Sequence, residues 1–248
     1  MVELYPRAAI LTAWFNAISF GAVPDLTECP AALPTDPFHG SETGVPGWQH
    51  ARLPLGTALA VLGDTGPAYC ALPVPGDPGG LPAGAARATD AGQAMILPLP
   101  DCSIVITPTS VAGERTVWQA TRTDVVPVPT TDLRAERLRI MEFLADAVHA
   151  AAAATLPTPD PRDVEQHMHR LRHVPMPPGS AGAAVELARS SATLLAVVQG
   201  ALAVLPDHGT DAAAVRTALT PLGAAGRRAL AVAFSQAGGP DRRGVARR

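Results

Sequence analysis

Apolar side chains recur with a helical period at the start of the chain and again throughout its second half. Near the N-terminus, residues 8–20 place their large apolar side chains on one face of an amphipathic helix: Ile10, Leu11, Trp14, Phe15 and Ile18. A second long helix is predicted to begin at Thr131–Asp132, where the side chains suit an N-cap and an early negative charge. Its apolar stripe consists of Leu133, Leu138, Met141, Leu144 and Val148.

Prolines, glycines and capping residues delimit four further helices in the second half. The predicted helices run from Asp160–Pro161 to a point before Pro175, over residues 183–205, from a cap at Thr210–Asp211, and from Thr220–Pro221 to Gly238–Gly239. Short connections between alanine-rich helices are typical of a helical bundle.

The first half has a different pattern, in which short apolar runs end at proline, glycine or aspartate. Four such runs predict strands: Tyr69–Val74, Gln93–Leu99, Cys102–Thr107 and Thr116–Arg122. The tight connections between the later runs favour a small, mostly antiparallel sheet, with the opening helix and a second helix near Leu55–Leu62 covering one face. Residues 24–50 carry many prolines and glycines and predict a long irregular loop.

These patterns predict an α+β fold, in which a small sheet with covering helices is followed by an alanine-rich helical bundle. The predicted boundaries are residues 1–131 for the sheet domain, 132–238 for the bundle packed on it, and 239–248 for an arginine-rich tail. Whether the first two form one compact unit or two is left open by the sequence.

The charged residues exclude several functions. The chain has no lysine, so a Walker-type phosphate loop, a lysine Schiff base and protein-kinase chemistry are all excluded. Residues 1–131 have a net charge of −6, residues 132–238 are neutral, and residues 239–248 carry +3. An acidic body makes nucleic acid an improbable partner. The basic tail is either a frayed terminus or a docking segment for an acidic protein surface.

Three widely spaced cysteines without a Cys-x-x-Cys pair make a disulfide framework improbable and favour a reducing cytoplasm. The apolar stretch Ala8–Phe20 lacks the basic flank of a signal peptide. No apolar run is judged to approach the roughly 20 residues of a membrane span. The expected protein is therefore cytoplasmic, not attached to a membrane, and without a cofactor.

The loop Pro75–Pro82 lies between a predicted strand and the helix-prone segment 83–91. In that arrangement, backbone N–H groups at Gly79 and Gly80, helped by Arg87, are able to hold an anionic ligand. Asp77 would repel an anion, however, and the glycine spacing does not fit G-x-G-x-x-G. A structural turn is the favoured alternative.

The stretch Ala71–Pro82, followed by Ala91–Ala94 and preceded near the N-terminus by Ala13–Ala17, resembles an uncharacterised family from actinobacteria. The resemblance covers roughly residues 1–120. Since no activity is known for that family, it implies no site residues.

Asp36 and His39, close to Ser41, bring together the residue types of a hydrolytic triad, and with His50 they also suggest a metal site. Such groups usually converge from distant positions, so turn capping by Asp36 and His39 is the favoured interpretation. Another possible metal site is formed by Glu165, His169 and His173, which share one helix face. An exposed polar surface is the simpler interpretation of that face.

The arginines Arg134, Arg137, Arg139, Arg227 and Arg228 have acidic neighbours and no interleaved aromatic residues, which favours local ion pairs over nucleic-acid binding. The leading hypothesis is a non-enzymatic cytoplasmic interaction or regulatory protein with a protein partner or a homo-oligomeric state. The alternative is a protein that binds an anionic small molecule, or a hydrolase-type enzyme, with its site between the 75–82 loop and Asp36 and His39.

Overall fold

The computed structural model describes most of the chain between Tyr5 and Ala237. The described residues are 5–29, 33–40, 43–48, 53–62, 65–82, 85–111, 115–125, 132–154, 171, 173–206 and 208–237. The arginine tail 239–248 and most of the second predicted bundle helix lie outside them.

Six helices and six strands are formed by the described residues. The helices are α1 (Arg7–Ser19), α2 (Leu55–Ala60), α3 (Ala86–Ala91), α4 (Leu133–Ala153), α5 (Gly182–Val204) and α6 (Thr210–Gln236). The strands are β1 (Pro37–His39), β2 (Leu53–Pro54), β3 (Tyr69–Ala71), β4 (Ala94–Pro98), β5 (Ser103–Val111) and β6 (Arg115–Thr123). The predicted α+β fold class is confirmed, with the sheet first and the long helices after it.

One sheet contains all six strands in the order β2-β1-β6-β5-β4-β3. Every neighbouring pair is antiparallel except β1 and β6, which run parallel. The four predicted strands correspond to β3 through β6, so the prediction of a mostly antiparallel sheet is confirmed.

Strand β1 corrects the prediction that residues 24–50 form an irregular loop. Phe38 is fully buried and pairs in register with Trp118 on β6, and its ring contacts Trp48 with centroids 4.6 Å apart. Gly40 permits this contact, because a Cβ there would lie 2.6 Å from the Phe38 ring. A strand of three residues is too short to show the alternation by which strands are recognised.

The sheet has two faces of different character. Its inner face carries buried side chains that form the main core with α1 and α6; these include Cys70, Met95, Leu97, Ile104, Ile106 and Trp118. The outer face is packed against α3 only near β3, β4 and β5, through Tyr69, Ala71, Ala94, Ile96, Val105 and Ala88. The opening helix therefore covers one face, as predicted, and the short helix after the glycine-rich loop covers part of the other.

Helix α6 joins the sheet to the bundle. Its C-terminal half, including Leu230 and Phe234, belongs to the main core, whereas its N-terminal half packs with α4 and α5 around Val198, Val215 and Leu222. The described bundle helices thus share one long helix with the core of the sheet.

The prediction that Thr220–Pro221 starts a separate helix is wrong, because α6 is continuous from Thr210 to Gln236 with Pro221 inside it. The Thr220 hydroxyl donates to the carbonyl of Arg216 instead of capping a new helix. Leu219 and Leu222, on either side of the proline, are both buried. Their packing offsets the cost of about 3 kcal/mol that a proline imposes inside a helix.

The predicted buried stripe of α4 is wrong at three of its five positions, whereas Leu133 and Leu144 are partly buried against the core. Asp132 caps the helix as expected, with its side chain accepting from the N–H of Arg134 and of Ala135. However, Leu138, Met141 and Val148 are 60%, 57% and 59% exposed, and the buried positions are Glu136 and Ala147. The helix packs through Glu136, Ala147 and the partly buried Phe143 and Leu144, so Leu138, Met141 and Val148 remain on the outside.

Helix α5 confirms the third predicted bundle helix, with Leu187 and Val198 buried. Among the described residues, it is also the one helix whose length and mean hydropathy of 1.5 would suffice for a membrane span. The expectation that no apolar run approaches the length of a membrane span is therefore wrong for α5. Core helices of soluble proteins meet the same criterion, but only 28% of this apolar window is buried, so the cytoplasmic location stays a prediction.

Candidate functional site on the outer face of the sheet

A row of polar side chains crosses the outer face of the sheet beyond the area covered by α3. His39 on β1 is the register neighbour of Gln119 on β6, and Gln119 is the register neighbour of Thr107 on β5. Register neighbours point to the same face of a sheet, about 5 Å apart. The side chains of His39, Gln119 and Thr107 therefore lie side by side.

Arg87 reaches this row from α3. Its Nη1 donates to Oε1 of Gln119 at 3.4 Å. Ala88, the next residue of α3, is buried against the outer face and places the arginine over β6. The Thr107 hydroxyl on β5 donates to the backbone carbonyl of Gln119 at 3.4 Å, which adds a side-chain contact between β5 and β6. Two residues that were separate candidates in the sequence, His39 and Arg87, thus share Gln119 as a common neighbour.

Asp36 does not join His39. Its carboxylate lies 3.0 Å from Nη2 of Arg7 and accepts from the indole N–H of Trp118 at 3.0 Å. Arg7 also bonds to the Thr116 hydroxyl. Because Trp118 and α1 belong to the inner face, this carboxylate lies on the opposite side of the sheet from the polar row. It holds α1 against β6, so a catalytic pairing of Asp36 with His39 receives no support from the geometry. Ser41 and His50 lie outside the described residues.

The 75–82 loop is a structural turn tied to α6. Val74 and Asp77 exchange both backbone hydrogen bonds at 2.9 Å, with Gly76 at φ +85° inside the turn. The Asp77 carboxylate accepts from the N–H of Gly79 at 3.2 Å and pairs with Arg227 at 3.2 Å. The N–H of Gly79 is thus engaged by a carboxylate within the loop, which argues against its use in an anion cradle.

The proposed cleft between this loop and His39 is not formed. The loop follows β3, and β1 lies beyond β4, β5 and β6 in the strand order. Four strand spacings separate β1 from β3, about 19 Å. Of the loop's predicted ligand-binding set, Arg87 reaches Gln119, the register neighbour of His39, whereas Asp77 pairs with Arg227.

Glu165 and His169 lie outside the described residues, and His173 is exposed. In the ranges that the structure describes, no group of three or more His, Cys, Asp or Glu side chains could hold a metal ion. The metal site on that helix stays a prediction.

Local ion pairing of the bundle arginines is found at a buried carboxylate. Glu136 is 3% exposed, and it accepts from Nη1 of Arg139 at 2.9 and 3.0 Å and from Nε of Arg228 at 2.9 Å. The first pair was visible in the sequence as an i,i+3 spacing. The second joins α4 to α6 across 92 residues, and no local pattern could reveal it.

The buried titratable groups of the core are held in their neutral forms. Burial raises the pKa of Tyr69 to about 12 and raises the pKa of the Cys70 thiol. A thiol becomes a nucleophile only as the thiolate. Cys70 is thus an inert core residue, and Cys29 and Cys102 are likewise buried and form no disulfide.

The polar row was missed as a unit, although the alternation in β6 contained a signal. Val117, Gln119 and Thr121 alternate with Trp118 and Ala120, which indicates an outer face less apolar than the inner one. The pairing of Arg87 with Gln119 required the fold.

Comparison with known proteins gives one match. The family described as Rv1486c-like protein, N-terminal domain, matches residues 8–133, from α1 to the first residue of α4. No curated protein matches the chain, and no solved structure does. The match confirms the resemblance to an uncharacterised family over the first part of the sequence, and it covers just over half of the chain: the protein belongs to the family of Rv1486c-like proteins.

Proposed function

We propose that this chain is a non-enzymatic cytoplasmic interaction protein that associates with itself through the outward face of α4. The observation that supports the proposal is the exposure of Leu138, Met141 and Val148 on one face of that helix. Ala145 and Ala152, on the same face, are exposed as well. Single exposed apolar residues are ordinary, but a contiguous apolar stripe typically marks a protein contact.

A second copy of the chain fits this stripe because its pattern is nearly symmetric about Phe143. When two α4 helices lie antiparallel, Leu138 of one copy is opposite Val148 of the other, and Met141 is opposite Ala145. Such a self-complementary surface suits a two-fold dimer. The opposite net charges of residues 1–131 and 239–248 also favour assembly of the chain with itself.

The size of the stripe indicates weak association. From Leu138 to Ala152 the helix rises about 21 Å, and a stripe about 10 Å wide then offers about 200 Å². A stable interface buries about 800 Å² on each partner. Val197 and Val204, in the C-terminal part of α5, are also exposed apolar residues. We therefore expect a dimer whose population depends on protein concentration.

The cytoplasmic location rests on the cysteines. All three are buried and form no disulfide, as is usual for cysteines in a reducing compartment.

Sedimentation velocity over a concentration series tests the proposal. The weight-average sedimentation coefficient should rise with concentration for the wild-type chain. The double variant Leu138→Gln with Met141→Gln should remain monomeric. Val125→Gln, the same chemical change at a residue 56% exposed elsewhere, should behave as wild type. A wild-type chain that remains monomeric throughout the series would refute self-association.

The contribution of the tail is separable from that of the stripe. Deleting residues 239–248 should weaken association at low salt and have little effect at high salt, because screening removes charge attraction between exposed groups. If the truncated chain sediments as wild type at low salt, the tail has no part in assembly, whatever the behaviour of the stripe variants.

A further inference from the structure

We propose that the polar row on the outer face is a binding site for a small oxyanion, a phosphate or carboxylate group, held between Arg87 and His39 over Gln119. This function is distinct from self-association through α4. It concerns a different surface, and it uses residues that the interaction proposal leaves without a role.

Arg87 differs from the five arginines that form ion pairs in the described part of the chain. Arg7, Arg139, Arg189, Arg227 and Arg228 each pair with a carboxylate. Arg87, in contrast, has as its one described partner the neutral amide of Gln119, at the long distance of 3.4 Å. A guanidinium has five N–H donors in a planar fork that matches carboxylate and phosphate oxygens. Most of the Arg87 donors thus remain for a ligand.

Gln119 is oriented by the same contact. Because its Oε1 accepts from Arg87, the two N–H donors of its Nε2 point away from the arginine and remain available. His39, its register neighbour on β1, adds a ring N–H on the other side. The row therefore presents donors from three side chains within the width of two strands.

Two carboxylates that are close to the row in sequence are bound elsewhere in the fold. The carboxylate of Asp36 is three residues from His39 in sequence, but it is bound to Arg7 and Trp118 on the inner face. The carboxylate of Asp77 is bound to Arg227 near the opposite edge of the sheet. The two acidic side chains that were grouped with His39 and Arg87 in the sequence are thus kept away from them.

Two variants and a matched control test the site, with inorganic phosphate and acetate as probes. Titrations at constant ionic strength are followed by amide chemical shifts in the full chain. Arg87→Gln and His39→Gln should each weaken binding about tenfold, as expected for the loss of a charge-assisted or direct hydrogen bond to an anion. Arg122→Gln is the control, because Arg122 is exposed on β6, pairs in register with Ile104 and therefore belongs to the inner face.

Saturable shifts centred on Gln119, lost in both site variants and kept in Arg122→Gln, are the expected result. If phosphate binds and acetate does not, the ligand class is a phosphorylated compound. If acetate binds and phosphate does not, the ligand class is a carboxylate. Absence of saturable shifts with either probe up to about 10 mM would overturn the site, since the affinity would then be below any functional range. An equal loss in Arg122→Gln would also overturn it, because the binding would then reflect net charge alone.

Discussion

The side-chain amide of Asn16 donates to the backbone carbonyl of Ser235 at 2.8 Å, joining the first helix to the last across 219 residues. The same amide donates to the carbonyl of Ala68 at 2.9 Å, and its oxygen accepts from the N–H of Ala68 at 2.8 Å. The Ser235 hydroxyl in turn accepts from the N–H of Cys70. One fully buried asparagine thus connects α1, the start of β3 and α6.

Replacing Asn16 should destabilise the whole chain. Asn16→Ala leaves the N–H of Ala68 and the carbonyls of Ala68 and Ser235 without their partner, and we expect a loss of about 3 kcal/mol in the free energy of unfolding. Urea denaturation measures the effect. Gln199→Ala, at an exposed position of α5, is the control and should change stability by about 0.5 kcal/mol at most. An Asn16→Ala chain as stable as the control would show that the network contributes nothing.

The part of the chain that matches the family should not fold alone. Residues 8–133 contain the sheet and α1 but lack α6, whose Leu230 and Phe234 are buried in the same core. A fragment of residues 1–133 is therefore expected to lose the near-ultraviolet circular dichroism of its buried tryptophans and to unfold without a cooperative transition. A chain ending at residue 238 keeps α6 and is the control. Cooperative unfolding of the fragment at the midpoint of the control would contradict this expectation.

Removing the proline from α6 should stabilise the protein. In Pro221→Ala, the new N–H is able to bond to the carbonyl of Thr217, and the steric conflict of the ring disappears. We expect a gain of about 1–2 kcal/mol, because a helix-interior proline costs about 3 kcal/mol and its stiffening of the unfolded chain offsets part of that cost. Thermal and urea unfolding both measure the gain.

Comparing an aspartate variant in α4 with a threonine variant in α6 tests whether α6 is one continuous helix. Asp132→Ala removes a true N-cap and should cost about 1 kcal/mol. Thr220→Ala should cost much less, because its hydroxyl only returns to the carbonyl of Arg216 within the helix. A loss at Thr220 equal to that at Asp132 would mean that a separate helix begins there.

These positions also show which features were predictable from the sequence. Asp132 acts through its own neighbours, so the start of α4 was predictable, as were the strands β3 to β6 from their apolar runs. The continuity of α6 through Pro221 depends on packing against α4, α5 and the sheet, which overrides the local preference. For the same reason part of the stripe of α4 was assigned to the wrong side: Glu136 is buried with two arginine partners, and one of them, Arg228, lies 92 residues later in the chain.

The candidate site was predictable only in part. His39 and Arg87 were recognised by residue type, but they were grouped with Asp36 and Asp77, which the fold directs elsewhere. Their common neighbour Gln119 lies 32 residues from Arg87, and the contact exists because α3 crosses the outer face. Strand order, which places β1 beside β6, cannot be derived from the alternation within either strand.

Two buried tyrosines should make the protein sensitive to alkaline pH. Burial raises the pKa of Tyr5 from 10.0 to about 12, although the charge of Arg189 acts in the lowering direction, and burial alone raises the pKa of Tyr69 equally. The folded state therefore favours the protonated phenols. Their contribution to stability is complete below pH 10 and is lost as the pH rises through about 12, because the unfolded chain then binds fewer protons.

The two tyrosines share a raised pKa but differ in the hydrogen bonding of their hydroxyl groups, so their variants can be compared directly. The Tyr5 hydroxyl donates to the carbonyl of Leu171 at 3.0 Å, whereas the buried Tyr69 hydroxyl has no hydrogen-bond partner among the described residues. Tyr5→Phe should cost about 1 kcal/mol at pH 7, and Tyr69→Phe should be neutral or stabilising. At about pH 11 both variants should lose less stability than wild type, relative to their own values at pH 7. Urea midpoints at the two pH values measure these differences, and an equal alkaline loss in all three chains would show that neither phenol is responsible.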